Sequence, residues 1–172
     1  HMTDDECRYL AQFDKLSDET LDRIGHLNER NDLIVGHYLQ NKAKYGKTLV
    51  FATNVQHACL LREKFVAQGV AAEYVASYAP DGRATDKEEA CAAFLSPDSG
   101  LDVLINVQML TEGADLPAVQ TVLLARPTNS EVLMQQMVGR ALRGQKVGGT
   151  SLAYLVSFED HWERFTDFER PF

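Results

Sequence analysis

The sequence is poor in the residues that staple or metallate small domains. Its three cysteines, Cys7, Cys59 and Cys91, stand apart with no Cys-x-x-Cys spacing. An odd set of lone thiols excludes a disulfide framework and reads as a chain of the reducing cytoplasm. The five histidines show no ligand spacing and no cysteine partners, so no metal site is expected. No apolar run approaches the roughly 20 residues of a membrane span, and the start does not read as a signal peptide. His1-Met2 reads as the remnant of an expression tag, so the natural chain is expected to extend upstream. Positive charge is short as well. Lys and Arg number 17 against 25 Asp and Glu, a formal net charge of −8. That argues against a broad basic footprint for nucleic acid. The acid is uneven, however. Residues 80–102 hold six acids and two bases, whereas 131–150 carry Arg140, Arg143 and Lys146 against Glu131.

A phosphate-cradling P-loop is also missing. Gly46-Lys47-Thr48 resembles the end of one, but Asn41 stands where its first glycine belongs. The order is reversed too: a helical pattern precedes and a strand pattern follows, so no helix N-terminus would meet the phosphates. No Asp-Glu-x-His is present to hold magnesium. This chain is therefore not expected to hydrolyse a nucleoside triphosphate alone by that mechanism.

What is present suits one globular domain of 172 residues, 45% hydrophobic and 24% charged. Residues 17–44 read as helical, capped by Ser17, with apolar positions at Leu21, Ile24, Leu27, Leu33, Ile34, His37 and Tyr38. Asn31-Asp32 is a candidate break. Short strands and helices then alternate. Strands are expected at 48–52, 70–77, 101–107, 119–125 and 151–158. Helices are expected at 54–68, with Val55, Ala58, Cys59, Leu61, Phe65 and Val66 inward and Gly69 as the stop, and at 86–95. A further helix follows Ser130, and another closes the chain. His57 is expected at the surface or half-buried. The alternation, with near-continuous apolar strands, predicts an α/β fold with a mostly parallel sheet covered on both faces. Ligands in such folds sit at the carboxyl ends of strands. The loops after Ala52, Ser77, Val107, Ala125 and Phe158 are therefore the ones to inspect.

Two segments carry candidate chemistry. The first, NVQMLTEGADLPAV, follows the third strand. Gly113 allows close approach of the backbone. Asp115, set before Pro117, can accept hydrogen bonds from sugar hydroxyls. The second is Gln136-x-x-Gly139-Arg140-x-x-Arg143. Residues three apart share a helix face, so both guanidinium groups reach the same way. Gly139 costs about 1 kcal/mol relative to alanine within a helix, which points to a close contact there. Each feature also has a plainer reading: cations in a last helical turn for the arginines, turn formers for Asp115 and Gly113, and a helix cap for Thr53 and Asn54.

Together these residues resemble the second motor lobe of superfamily 2 helicases, the DEAD/DEAH-like nucleic-acid translocases. Gln136 to Arg143 resembles their motif VI, LTEGADLP their motif V, and TLVFATNVQHA their motif IV. Motif V is closest to the branch of restriction-enzyme translocases and excision-repair helicases. The resemblance implies a three-layer α/β/α RecA-like domain over 46–158, a helical lead-in from an absent N-terminal lobe over 1–45, and a C-terminal helix or tail over 159–172. It implies that ATP and Mg are bound mainly by the absent lobe, with Arg140 and Arg143 as arginine fingers and Gln136 positioning the nucleotide or the attacking water. Gly113, Asp115 and Gly139 would contact the nucleotide, and Thr53, Asn54, Val107 and Gln108 the nucleic-acid backbone. Val107 departs from many DEAD-box proteins, which carry a phosphate-binding threonine there, so DNA is favoured over RNA. Two alternatives stay open: a non-catalytic RecA-like scaffold, consistent with the acidity, and an unrelated doubly wound domain that binds a free mononucleotide.

Overall fold

The computed structural model describes residues 16–76, 86–107, 116, 118–127 and 154–158. Helix α1 (Asp18–Gly25) starts at Ser17, whose hydroxyl accepts the Thr20 N–H at 3.2 Å. Helix α2 (Asn28–Tyr45) follows after a two-residue turn. The break thus falls at His26–Leu27 and not at Asn31-Asp32. Asn31 lies buried in the first turns of α2, and its amide bonds back to the Gly25 carbonyl at 2.8 Å. It therefore closes the turn. Leu27 and Leu33, expected inward, are 48% and 59% exposed. Ile34 and Tyr38 do face inward, as expected, and Val35 joins them.

From Thr48 the strand–helix alternation holds. The elements are β1 (Thr48–Phe51), α3 (Val55–Ala67), β2 (Ala72–Val75), α4 (Lys87–Leu95), β3 (Val103–Asn106), β4 (Thr121–Leu124) and β5 (Tyr154–Ser157). The five strands form one parallel sheet in the order β2-β3-β1-β4-β5. Thr48 sits opposite Val103 on one side and Thr121 on the other, so β1 is central. Strands β1, β3 and β4 are buried at every position, as a sheet covered on both faces requires. Successive side chains go to opposite faces. Val50, Ile105 and Leu123 meet α2 and α3 in one core, while Leu49, Leu104, Val122 and Leu124 join Phe94 of α4 in the other. Tyr38 and Phe65 meet edge to face across the first core, ring centroids 5.3 Å apart. The layers are therefore α2 and α3, the sheet, and α4. This is the RecA-like three-layer α/β architecture that the sequence implies.

The differences in detail have local causes. Val66 is 46% exposed, because a 3.6-residue period that buries Ala58, Leu61 and Phe65 turns residue 66 outward. Gly69 stops α3 as expected, at φ 73°, a conformation that side chains with a Cβ resist. Lys47 has no free ammonium to offer a phosphate. Its Nζ donates to the Leu101 carbonyl at 2.6 Å and lies 5.5 Å from the Phe94 ring, tying β1 to the approach to β3. Among the described residues, no helix is long and apolar enough to cross a membrane, and no cluster of three His, Cys, Asp or Glu side chains is placed to hold a metal.

Candidate functional site

The carboxyl edge of the sheet brings together Thr53 and Asn54 after β1, Val107 after β3, and Arg126 after β4. The strand pairing puts Phe51 beside both Asn106 and Leu124, so the three exits adjoin one another. Gln108, Gly113, Asp115, Gln136, Gly139, Arg140 and Arg143 lie outside the described residues.

Asn54 works in two directions. Its extended backbone ends the strand connection, and its Oδ1 accepts the His57 N–H at 2.9 Å, capping α3. Its amide donates to Asp22 Oδ1 at 2.8 Å, which ties the cap to α1. Asn54→Ala is expected to cost about 1 kcal/mol, read as a lower urea midpoint with unchanged slope. The exposed tie to Asp22 adds little. An unchanged midpoint would show that the cap does not hold α3 in place.

Thr53 turns inward and is only 5% exposed. Its backbone N–H donates to His57 Nδ1 at 3.1 Å, and its hydroxyl lies 3.0 Å from the same nitrogen. His57 is fully buried, deeper than the surface or half-buried position expected of it. Its position in α3 points it at the turn between α1 and α2, not at solvent. Because a backbone N–H can only donate, Nδ1 must be the bare nitrogen. Nε2 therefore carries the hydrogen and donates to Asn31 Oδ1 at 3.0 Å. Asn31 passes the order on through Nδ2 to the Gly25 carbonyl. A continuous relay thus runs from the β1 exit through α3 and α2 to the end of α1. Burial, with smaller contributions from the nearby charges of Arg30 and His26, pushes the His57 pKa down to about 3. The ring is neutral at physiological pH. Gly25 is required by this contact: a Cβ there would stand 2.6 Å from Thr53 Oγ1 and 2.9 Å from His57 Cβ.

Two arginines attend the end of β4. Arg30, 9% exposed, donates from Nη1 to the Ala125 carbonyl at 2.7 Å. Arg126 bonds Phe51 O through its backbone N–H at 2.8 Å, and its side chain is half-buried. Val107 is half-buried against the α2–α3 core, its N–H directed to Val75 O at 3.2 Å. Sequence reading missed His57, Asn31, Arg30 and Arg126. The first three carry no spacing signal. The last lies in a loop singled out by its place after a strand.

A parallel five-stranded sheet flanked by helices, with its polar groups gathered at the strand exits, defines a RecA-like domain. Residues 29–145 match the family described as helicase conserved C-terminal domain, and the chain belongs to that family. A Saccharomyces cerevisiae protein, IRC3, described as a candidate ATP-dependent helicase, is 32% identical over 125 residues, which cover 72% of this chain and 17% of that protein. The chain therefore spans a small part of this curated relative. Among solved structures, a fragment of a candidate HsdR subunit of a type I restriction enzyme from Vibrio vulnificus YJ016 superposes with a TM-score of 0.63 at 21% identity, covering 94% of this chain and 32% of that one. The C-terminal domain of the DEAD-box protein Dbp5 superposes with a TM-score of 0.58 at 19% identity, covering 77% of this chain and 71% of that one. At these identities the structures share the fold.

Proposed function

We propose that this chain is the second motor lobe of an ATP-dependent nucleic-acid helicase or translocase. The observation that carries this reading is the family match over 29–145, a span that takes in Thr53 and Asn54, the Gly113–Asp115 loop and the Gln136–Arg143 segment. The described residues do not suit a self-contained Mg–ATP site, since Lys47 is bound to carbonyls and no P-loop precedes a helix. ATP and its magnesium would be bound mainly by a P-loop lobe outside this chain. Across the cleft, Arg140 and Arg143 would present positive charge to the γ-phosphate, and Gln136 would hold the nucleotide or the attacking water. Gly139 and Gly113 would permit close approach, and Asp115 would accept from the ribose.

Thr53, Asn54, Val107 and Gln108 would meet the nucleic-acid backbone, with DNA favoured because Val107 replaces a threonine common in DEAD-box proteins. The N–H and hydroxyl of Thr53 are committed to His57. Its share of that contact is therefore indirect, through the placement of Asn54 and the first turn of α3. The lead-in over 1–45 would connect to the preceding lobe. Helix α2 buries Ile34, Val35, Tyr38 and Tyr45 and so belongs mechanically to this lobe.

The test separates the lobes. The isolated chain should show no ATP turnover in a phosphate-release assay and weak affinity for ATP and DNA. The full-length protein should turn over ATP in a nucleic-acid-stimulated way. Robust hydrolysis by the isolated chain would overturn the two-lobe reading.

A further inference from the structure

Arg126 holds a position that the site described so far does not use. Its backbone is fixed beside the β1 exit by the bond to Phe51 O. Its side chain is half-buried, yet among the described residues its guanidinium makes no hydrogen bond and no ion pair. Burial lowers its pKa, and Asp18 at the start of α1 offsets this only in part and forms no salt bridge with it. Arg30 is anchored on the neighbouring Ala125 carbonyl, so a second arginine is held next to Arg126 in a chain whose net charge is −8.

A half-buried guanidinium that no described residue engages by a hydrogen bond is open to an anion. The planar fork of arginine matches phosphate oxygens two at a time. The carboxyl edge of a parallel sheet is where such folds place their ligands.

We propose that Arg126 binds a phosphate group at the carboxyl edge of β4, beside the exit of β1. The phosphate is either a diester of a nucleic-acid backbone or part of a bound nucleotide. This deepens, and for those two sources rests on, the helicase reading. The Asp18 carboxylate, whose charge acts on Arg126, would repel an arriving anion, so its removal is expected to tighten binding.

The experiment uses the full-length protein with Arg126→Gln, Arg126→Lys and Asp18→Asn. A labelled DNA duplex is titrated over a range of salt, a fluorescent ATP analogue is titrated alone, and inorganic tripolyphosphate is scored by the rise in Tm it produces. If the ligand is a backbone diester, Arg126→Gln weakens DNA binding about three- to tenfold irrespective of sequence and lowers the salt slope by about one, leaving the ATP analogue unaffected. If the ligand is nucleotide phosphate, the analogue weakens and the salt slope stays. In both cases tripolyphosphate loses its effect on Tm, Arg126→Lys recovers part of the loss, and Asp18→Asn tightens binding. Arg126→Gln with wild-type salt slope, nucleotide affinity and tripolyphosphate response overturns the proposal. Should Arg126→Gln fail to fold, Asp18→Asn decides with the arginine intact, since unchanged binding of all three probes is equally fatal. A wild-type protein that binds neither DNA nor ATP ends the helicase reading, and tripolyphosphate then judges Arg126 separately.

Discussion

Replacing Arg140 with alanine in the full-length protein is expected to lower nucleic-acid-stimulated ATP hydrolysis by about 10³–10⁵ while leaving ATP binding near wild type. Arg140 and Arg143 stand three residues apart in the sequence, with Gly139 directly before the first, a spacing that would put both on one face of a helix. Such a pair suits a dense, transient negative charge, and a phosphoryl group in transfer is one. An arginine finger acts on charge that develops in the transition state, so its loss falls on turnover and not on ground-state affinity. Arg140→Lys should recover little, because an ammonium cannot reproduce the two-pronged geometry. Arg143→Ala should act in the same direction, and the double variant should lose less than the product of the single losses, as residues that act as a unit do. Steady-state phosphate release and equilibrium binding of an ATP analogue, run on the same preparations, separate the two effects. Near-normal turnover in Arg140→Ala removes that residue from the mechanism. Weakened ATP binding with unchanged turnover at saturation makes it a binding residue instead.

The sheet was legible because its signal is local and repeated. Runs such as TLVF and VLIN are apolar at three of four positions and are buried at all four, as a strand covered on both faces requires. The helix caps were legible because Ser17 and Asn54 act on N–H groups three residues away. His57 was not legible. Its spacing within α3 is compatible with a surface position, and its burial depends on Asn31 and Gly25, which lie 26 and 32 residues earlier and meet it only when α1 and α2 fold over the β1 exit. The same holds for Arg30, whose partner is the carbonyl of Ala125, 95 residues away. Periodicity finds the faces of elements. It does not find polar groups whose partners are supplied by tertiary packing, and at this edge those groups shape the loop that holds Thr53 and Asn54.

His57→Ala should destabilise the domain by about 3–5 kcal/mol. The ring satisfies the Thr53 N–H on one side and the Asn31 carbonyl oxygen on the other, in a place closed to water. Its removal leaves both groups unpaired and opens a cavity beside Gly25. The substitution should also change how stability depends on pH. In the folded state the ring stays neutral down to about pH 3, against 6.5 for the free side chain. Between those values the unfolded chain binds a proton that the folded chain refuses, so stability rises with pH across the window. The contribution is complete above 6.5 and is lost as the pH falls toward 3, at up to about 1.4 kcal/mol per pH unit. His57→Gln removes this slope. The gap between wild type and variant should therefore narrow as the pH is lowered from about 7 to about 5, which urea denaturation at the two values will show. Parallel losses in the two proteins would mean that the ring does not exclude the proton. A protonated ring would have to turn Nδ1–H against the Thr53 N–H, releasing the β1 exit and with it the Asn54 cap. Acid should therefore raise hydrogen exchange at Thr53 and in the first turn of α3 before the central strands open.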